Sequence, residues 1–200
     1  MATGERIPLF PLHAVLVPGG HLPLRIFEQR YLDMVRECAR NQSGFGVCLL
    51  LPDAAGQGHR HHARTGTIAR IRDFYTLEDG LLGITAQGAG RFRVLDTVVR
   101  DNGLLLGDIA WLEESPDTNV PEHCALLSEI ASRFMHKVGA NYPDYQEAYL
   151  QDAAWLGYRL TELLPLELIE KQVLLELSDP VQRLERLLHS VPGLLPADGA

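Results

Sequence analysis

The chain has 200 residues, 46% of them hydrophobic, and a formal net charge of -8. That is enough length and apolar content for one large domain or two small ones with a buried core. The acidic balance disfavours nucleic acid as a partner, since phosphate binding needs concentrated Lys and Arg to displace counterions. There is no run of about 18 apolar residues and no basic stretch followed by an apolar one at the start, so no membrane span or export signal is expected and the cytoplasm is the expected location.

In chain order, residues 1–114 form the first expected unit. Short runs rich in β-branched and aromatic residues are broken there by Gly, Pro or Asp-Gly, the punctuation of strands and tight turns. Strands are predicted over 45–51, 67–75, 81–87, 91–100 and 104–111. Asp79-Gly80 and Asn102-Gly103 supply the positive φ that hairpins need, and both predict antiparallel neighbours. Pro8 and Pro11 each lack an N–H, which places the opening extended segment at a sheet edge. Pro18-Gly19 makes a turn. One helix is predicted over 28–40, with Tyr31, Met34, Val35 and Cys38 as its apolar stripe. Phe27 and Tyr31, one turn apart, are expected to stack over the open end of the sheet, and Glu28 to pair with Arg25 or Arg30. Gly88 and Gly90 suit a place where the backbone curls or approaches another strand. Arg64, Arg70, Arg72, Arg91, Arg93 and Arg100, with Arg60 before them, crowd this half. Most alternate with apolar residues, as a solvated sheet face would. Cys38, Cys48 and Cys124 are odd in number and set among apolar residues, so they are expected to be buried, reduced thiols.

Residues 113–121 read as a linker. A second unit, 121–190, is predicted to be a helical bundle. Pro121 opens a helix carrying Leu126, Leu127, Ile130 and Phe134, and Asp144 with Glu147 resembles a capping box for the next. Pro165 opens a stretch to Leu177, and Ser178-Asp179-Pro180 caps a last helix with Val181, Leu184, Leu187 and Leu188. The tail 191–200, with Pro192, Gly193, Pro196 and Gly199, is expected to fray.

The opening Ile7-Pro8-Leu9-Phe10-Pro11-Leu12, then Val17-Pro18-Gly19, then Leu22-Pro23-Leu24-Arg25-Ile26-Phe27-Glu28-Gln29-Arg30-Tyr31 is similar to the start of the Lon protease N-terminal (substrate-binding) domain family. Phe45-Gly46-Val47, Gly66-Thr67-Ile68-Ala69-Arg70-Ile71 and Gly88-Ala89-Gly90-Arg91-Phe92-Arg93-Val94 follow in the family's order. Lys171-Gln172-Val173-Leu174-Leu175-Glu176, Asp179-Pro180 and Arg183-Leu184 resemble its close. The resemblance implies an α+β chain: a PUA-like partly closed β barrel with one helix, a module also shared with cereblon, followed by a C-terminal helical bundle. It further implies a bacterial stand-alone form without the ATPase and protease parts of Lon. Such a module would bind proteins or peptides without catalysis, as a chaperone-like factor for unfolded polypeptides in protein quality control or as an adaptor to a proteolytic machine.

Residue chemistry agrees with a non-enzyme that carries no cofactor or metal. There is no G-x-x-x-x-G-K-[ST] phosphate loop, and the chain has two lysines, Lys137 and Lys171. Ser178 and Ser190 sit at helix boundaries where capping accounts for a hydroxyl. His59, His61 and His62 have ligand-like spacing, but they lie in a Gly-rich connection without cysteine, where a specific metal is not expected. His13 and His21 read as scaffold, and Glu113, Glu114 and Asp117 as solvated charges. The expected peptide-binding groove lies in the crease between barrel and bundle, lined by Phe10, Leu12, Phe27 and Tyr31 with Tyr142 and Tyr145. The alternative is an RNA-binding PUA-like module, against which the net acidity counts.

Overall fold

The computed structural model describes residues 5–52, 61–115, 117–138, 142 and 144–190. By its contacts the chain divides after Glu113 into two units. The first contains β1 (Glu5–Leu12), β2 (His21–Ile26), α1 (Gln29–Asn41), β3 (Phe45–Leu50), β4 (His62–Thr76), β5 (Leu82–Val99) and β6 (Leu105–Trp111). Both predicted hairpins form: Gly80 and Gly103 take φ of 80° and 82°, and the strands on either side of each turn pair antiparallel.

The six strands make one mixed sheet in the order β2-β5-β4-β3-β1-β6, and β5 pairs again with β6. The pairing therefore runs through β5, β4, β3, β1 and β6 and back to β5, the partly closed ring that was expected. Residues 82–99, predicted as two strands, are one long strand. Its first half pairs with β2 and its second half with β6. A register shift against β4, between Thr67 and Ala69, takes up the segment around Gly88 without breaking the strand. There the backbone does approach another segment closely. The Gly88 N–H donates to Gly20 O at 2.9 Å and Gly88 O accepts from the Gly19 N–H at 2.8 Å. A Cβ built on Gly88 would stand 2.1 Å from Val17 O.

The opening segment is not at a sheet edge. β1 pairs in parallel with β3 and antiparallel with β6. The two ladders are staggered, which is how the prolines are tolerated: residues 5–9 pair with β6 and residues 9–12 with β3. Pro8 thus lies outside the β3 ladder and Pro11 outside the β6 ladder, so each has one side where a missing N–H costs nothing.

Two apolar clusters fill this unit. One packs the α1 stripe Tyr31, Met34, Val35 and Cys38 against Phe10, Phe45, Ile84 and their neighbours. The other gathers Ile7 and Leu9, Cys48, Ile68, Phe92 and Ile109, drawing on every strand of the ring. Arg91 breaks the expectation of a solvated arginine face. It is fully buried, whereas Arg64, Arg70, Arg72, Arg93 and Arg100 are exposed. Its neighbour Phe92 is buried as well, so both faces of β5 are covered at this point and alternation no longer separates inside from outside.

The second unit contains α2 (Ala125–Val138), α3 (Ala153–Leu163), α4 (Leu168–Glu176) and α5 (Pro180–Ser190), with short 3-10 turns before α2 and α3. The predicted capping box at Asp144 and Glu147 does not open a helix. Residues 147–151 wind only as a 3-10 turn, and the cap is Asp152, whose carboxylate accepts the Trp155 N–H at 2.9 Å. The last helix is capped as expected, by Asp179 accepting from the Val181 N–H at 2.8 Å. Part of the predicted linker is tied down: the Val120 N–H donates to Gln151 O and the Ala153 N–H to Thr118 O, both at 2.9 Å. The core joins Leu127 and Ala131 of α2 to Leu156 and Leu160 of α3, Leu174 of α4, and Leu184 and Leu187 of α5. Buried Arg183 ends α4 by donating to Leu174 O at 2.9 Å and to Leu177 O, and it also donates to the Tyr158 hydroxyl at 3.1 Å. The three cysteines are free and buried, as expected. Residues 191–200 lie outside the described residues.

Candidate functional site

The six residues expected to line a groove divide between the units. In the first, Phe10 and Tyr31 face each other in the core, with ring centroids 3.9 Å apart and both side chains buried. The Arg30 guanidinium lies over the Tyr31 ring, 4.7 Å from its centroid, and burial pushes the Tyr31 hydroxyl above its ordinary pKa. Leu12 is partly buried against the same cluster. Phe27 does not join Tyr31 in packing on the sheet. It follows β2 directly and is 64% exposed, so of the four it alone offers a ring to solvent.

In the second unit Tyr142 and Tyr145 are half-buried, and the Tyr145 N–H donates to Tyr142 O at 2.9 Å. Tyr145 stacks on Trp155 with centroids 5.7 Å apart, while the Arg159 guanidinium lies 5.1 Å from the Tyr142 ring centroid. Burial, followed by the nearby Glu162 charge, raises the Tyr142 pKa; burial and Glu147 raise that of Tyr145.

Among the described residues strand β2 carries a ladder only on its β5 side, so its other edge has no strand partner there. Pro23 within it fits such an edge, where a missing N–H faces solvent. At one end of this strand is a concavity of 570 Å³ whose lining includes Pro23, Arg25, Tyr75, Leu77 and Asp79. Arg25 pairs with Asp79 of the β4–β5 turn, and the predicted pairing of Glu28 is made by Arg30, at 2.7 Å. The Tyr75 ring lies across Gly83, whose missing side chain makes room for it: a Cβ there would be 2.2 Å from Tyr75 Cε2. Sequence reasoning missed this place because it arises from the non-local β2–β5 pairing. The signal that was available is Pro23 inside an alternating run, a mark of an edge strand.

Of the histidine loop, His59 lies outside the described residues. His62 Nδ1 donates to Ala63 O at 2.8 Å, and burial lowers the pKa of its ring. Among the described residues no group of three His, Cys, Asp or Glu is placed to hold a metal. His13 is exposed and His21 half-buried. Lys171 donates to Glu162 O at 2.9 Å, and burial lowers its pKa; Ser190 donates to Arg186 O and Ser178 O accepts from the Ser115 hydroxyl. No described helix is long and apolar enough to cross a membrane.

The architecture is that of a small mixed β ring followed by helices, with a strand edge at β2 that has no partner among the described residues and a concavity beside it that Tyr75 helps to line. Comparison with known proteins gives the family. Residues 6–191 match the model of the ATP-dependent protease La (LON) substrate-binding domain, and the chain belongs to that family. It is similar to the Lon N-terminal domain protein from Xanthomonas campestris, whose crystal structure is 42% identical, with a TM-score of 0.77, over 92% of this chain and 98% of that one. The N-terminal domain of Mycobacterium avium complex Lon protease shares the fold at 16% identity and a TM-score of 0.69, over 96% of this chain and 100% of that one. The Lon protease of Cytophaga hutchinsonii is 26% identical over 191 residues, which cover 92% of this chain but 23% of that protein.

Proposed function

We propose that this chain is a non-catalytic recognition module that binds exposed or unfolded segments of other polypeptides, serving as an adaptor or chaperone-like factor. The observation that carries this is the match of residues 6–191 to a substrate-binding domain family. The β2 edge without a strand partner among the described residues supports a mode of binding. An extended segment can add to it as a further strand, gaining main-chain hydrogen bonds with little demand on sequence. The exposed ring of Phe27 and the concavity of Pro23, Tyr75 and Leu77 offer apolar contacts to alternate side chains of that segment. Phe27 is thus the member of the expected groove on which the placement rests.

The test is fluorescence anisotropy with a labelled protein that has been reduced and alkylated so that it cannot refold. The wild-type chain binds it, and Phe27→Ala, which removes an exposed ring and leaves the core alone, raises Kd by roughly fivefold or more. Absence of binding by the wild type removes the reading. Unchanged binding by a folded Phe27→Ala variant removes the placement at β2.

A further inference from the structure

A second cavity lies where the two ladders of β1 part company. Residues 5–8 are laddered to β6 but not to β3, which joins only at Leu9. Across from them stand Ser43 and Gly44, ahead of β3, with Ile68 and Arg70 of β4, and the space between has a volume of 450 Å³. It is large enough for a short piece of chain. Its apolar wall comes from Ile7, Ile68, Leu106 and Trp111.

The charges around it are mostly spoken for. Arg6 donates to the Asp108 carboxylate at 2.6 and 2.7 Å, and Arg100 to Glu37 at 2.9 Å. The Glu5 carboxylate accepts the Trp111 indole N–H at 3.0 Å. The end of α1 is closed too, since the Ser43 N–H donates to Cys38 O at 3.0 Å and the Gln42 N–H to Ala39 O. Arg70 differs: it is exposed, and its side chain has no hydrogen bond or ion pair among the described residues. One available guanidinium beside an apolar wall and an unladdered stretch of strand asks for a single negative charge, an apolar side chain and a short extended backbone. A dianion such as phosphate would be opposed by Glu5, whose carboxylate shares the lining and has no cationic partner among the described residues.

We propose that this cavity takes the C-terminus of a polypeptide that ends in an apolar residue: the terminal carboxylate on Arg70, the last side chain against Ile68 and Trp111, and the backbone alongside residues 5–8. This rests on the reading that the chain binds polypeptides and names the kind of end it selects.

The test uses octapeptides labelled at the N-terminus and ending in two leucines, with the C-terminus free or amidated, and anisotropy as the readout. The free acid binds at least about tenfold more tightly than the amide, the worth of a charged hydrogen bond. Arg70→Gln abolishes that preference. Arg72→Gln, whose guanidinium is engaged with Gln87 at 2.6 Å, keeps it. Equal binding of acid and amide, or a preference that survives Arg70→Gln, overturns the assignment. So does isovalerate binding as tightly as the peptide, which would make the site one for small acids. If the unfolded protein binds while acid and amide bind alike, only this inference fails. If neither protein nor peptide binds, the polypeptide reading fails and this inference with it.

Discussion

Gly88→Ala is expected to be among the most damaging single-methyl additions in the first unit. A Cβ at Gly88 meets Val17 O at 2.1 Å and Val17 C at 2.9 Å, and both are backbone atoms that no rotamer change can move. The segment 17–20 must shift, and the two hydrogen bonds between Gly88 and residues 19 and 20 are lost or stretched. Two bonds at about 1 kcal/mol each, with about 1–2 kcal/mol of overpacking strain as buried Leu16 and Val17 are displaced, give a loss of about 3–4 kcal/mol. For a unit of this size that lowers Tm by about 12–16 °C. Gly80→Ala is the control. There φ is 80° but nothing lies within 4 Å of the added methyl, so the cost is the left-handed backbone alone, about 1–2 kcal/mol. Differential scanning calorimetry of the two variants decides the matter. A Gly88→Ala protein that melts with the wild type, or above Gly80→Ala, would refute the claim that a backbone approach requires this glycine.

Two further outcomes are expected in the second unit and in the surface ion pairs. Asp179→Ala removes the acceptor for the Val181 N–H and should cost about 1 kcal/mol in urea denaturation, with no change in m-value. The Glu37 and Glu170 carboxylates are held below their ordinary value of 4.5, first by hydrogen bonds from Arg100 and Arg186. A depressed carboxylate pKa stabilises the fold above the unfolded value and ceases to do so as pH falls through the folded one. The urea midpoint should therefore hold from pH 7 to about 5 and decline below about pH 4.5, and Glu170→Gln should flatten that decline. A midpoint as acid-sensitive in Glu170→Gln as in the wild type would show that this exposed pair contributes nothing.

Local chemistry was readable where one residue decides the geometry. Asp79-Gly80 and Asn102-Gly103 announced their hairpins because a turn of that kind needs positive φ, and the α1 stripe followed from its spacing. Ring closure was legible only through the family resemblance, since β1 meets β6 about a hundred residues further along and no local pattern records that pairing. The same non-locality hid the place of Pro8 and Pro11. A proline argues against an interior strand only if both of its neighbours are laddered at that residue, and the stagger of two ladders is a property of the assembled sheet. Arg91 was misread because alternation assumes one wet face, and at that point of β5 there is none. At the candidate site the types of the six residues gave no means of telling Phe27, outside the core, from Phe10 and Tyr31, within it. That distinction comes from where β2 ends and α1 begins.

The long strand β5 has a consequence for the order of events during synthesis. It serves β2, β4 and β6 in turn, and β6 is also the partner of the first half of β1. An emerging chain can form the β4–β5 hairpin early, from neighbours in sequence, but residues 5–9 must wait until residues 105–109 leave the ribosome before their ladder exists. Through that interval the β1 segment has an unfilled pairing edge beside apolar side chains, the condition in which nascent proteins aggregate or recruit chaperones. Pro11, which lies outside the β6 ladder, also leaves that early edge one donor short for an unwanted partner to use.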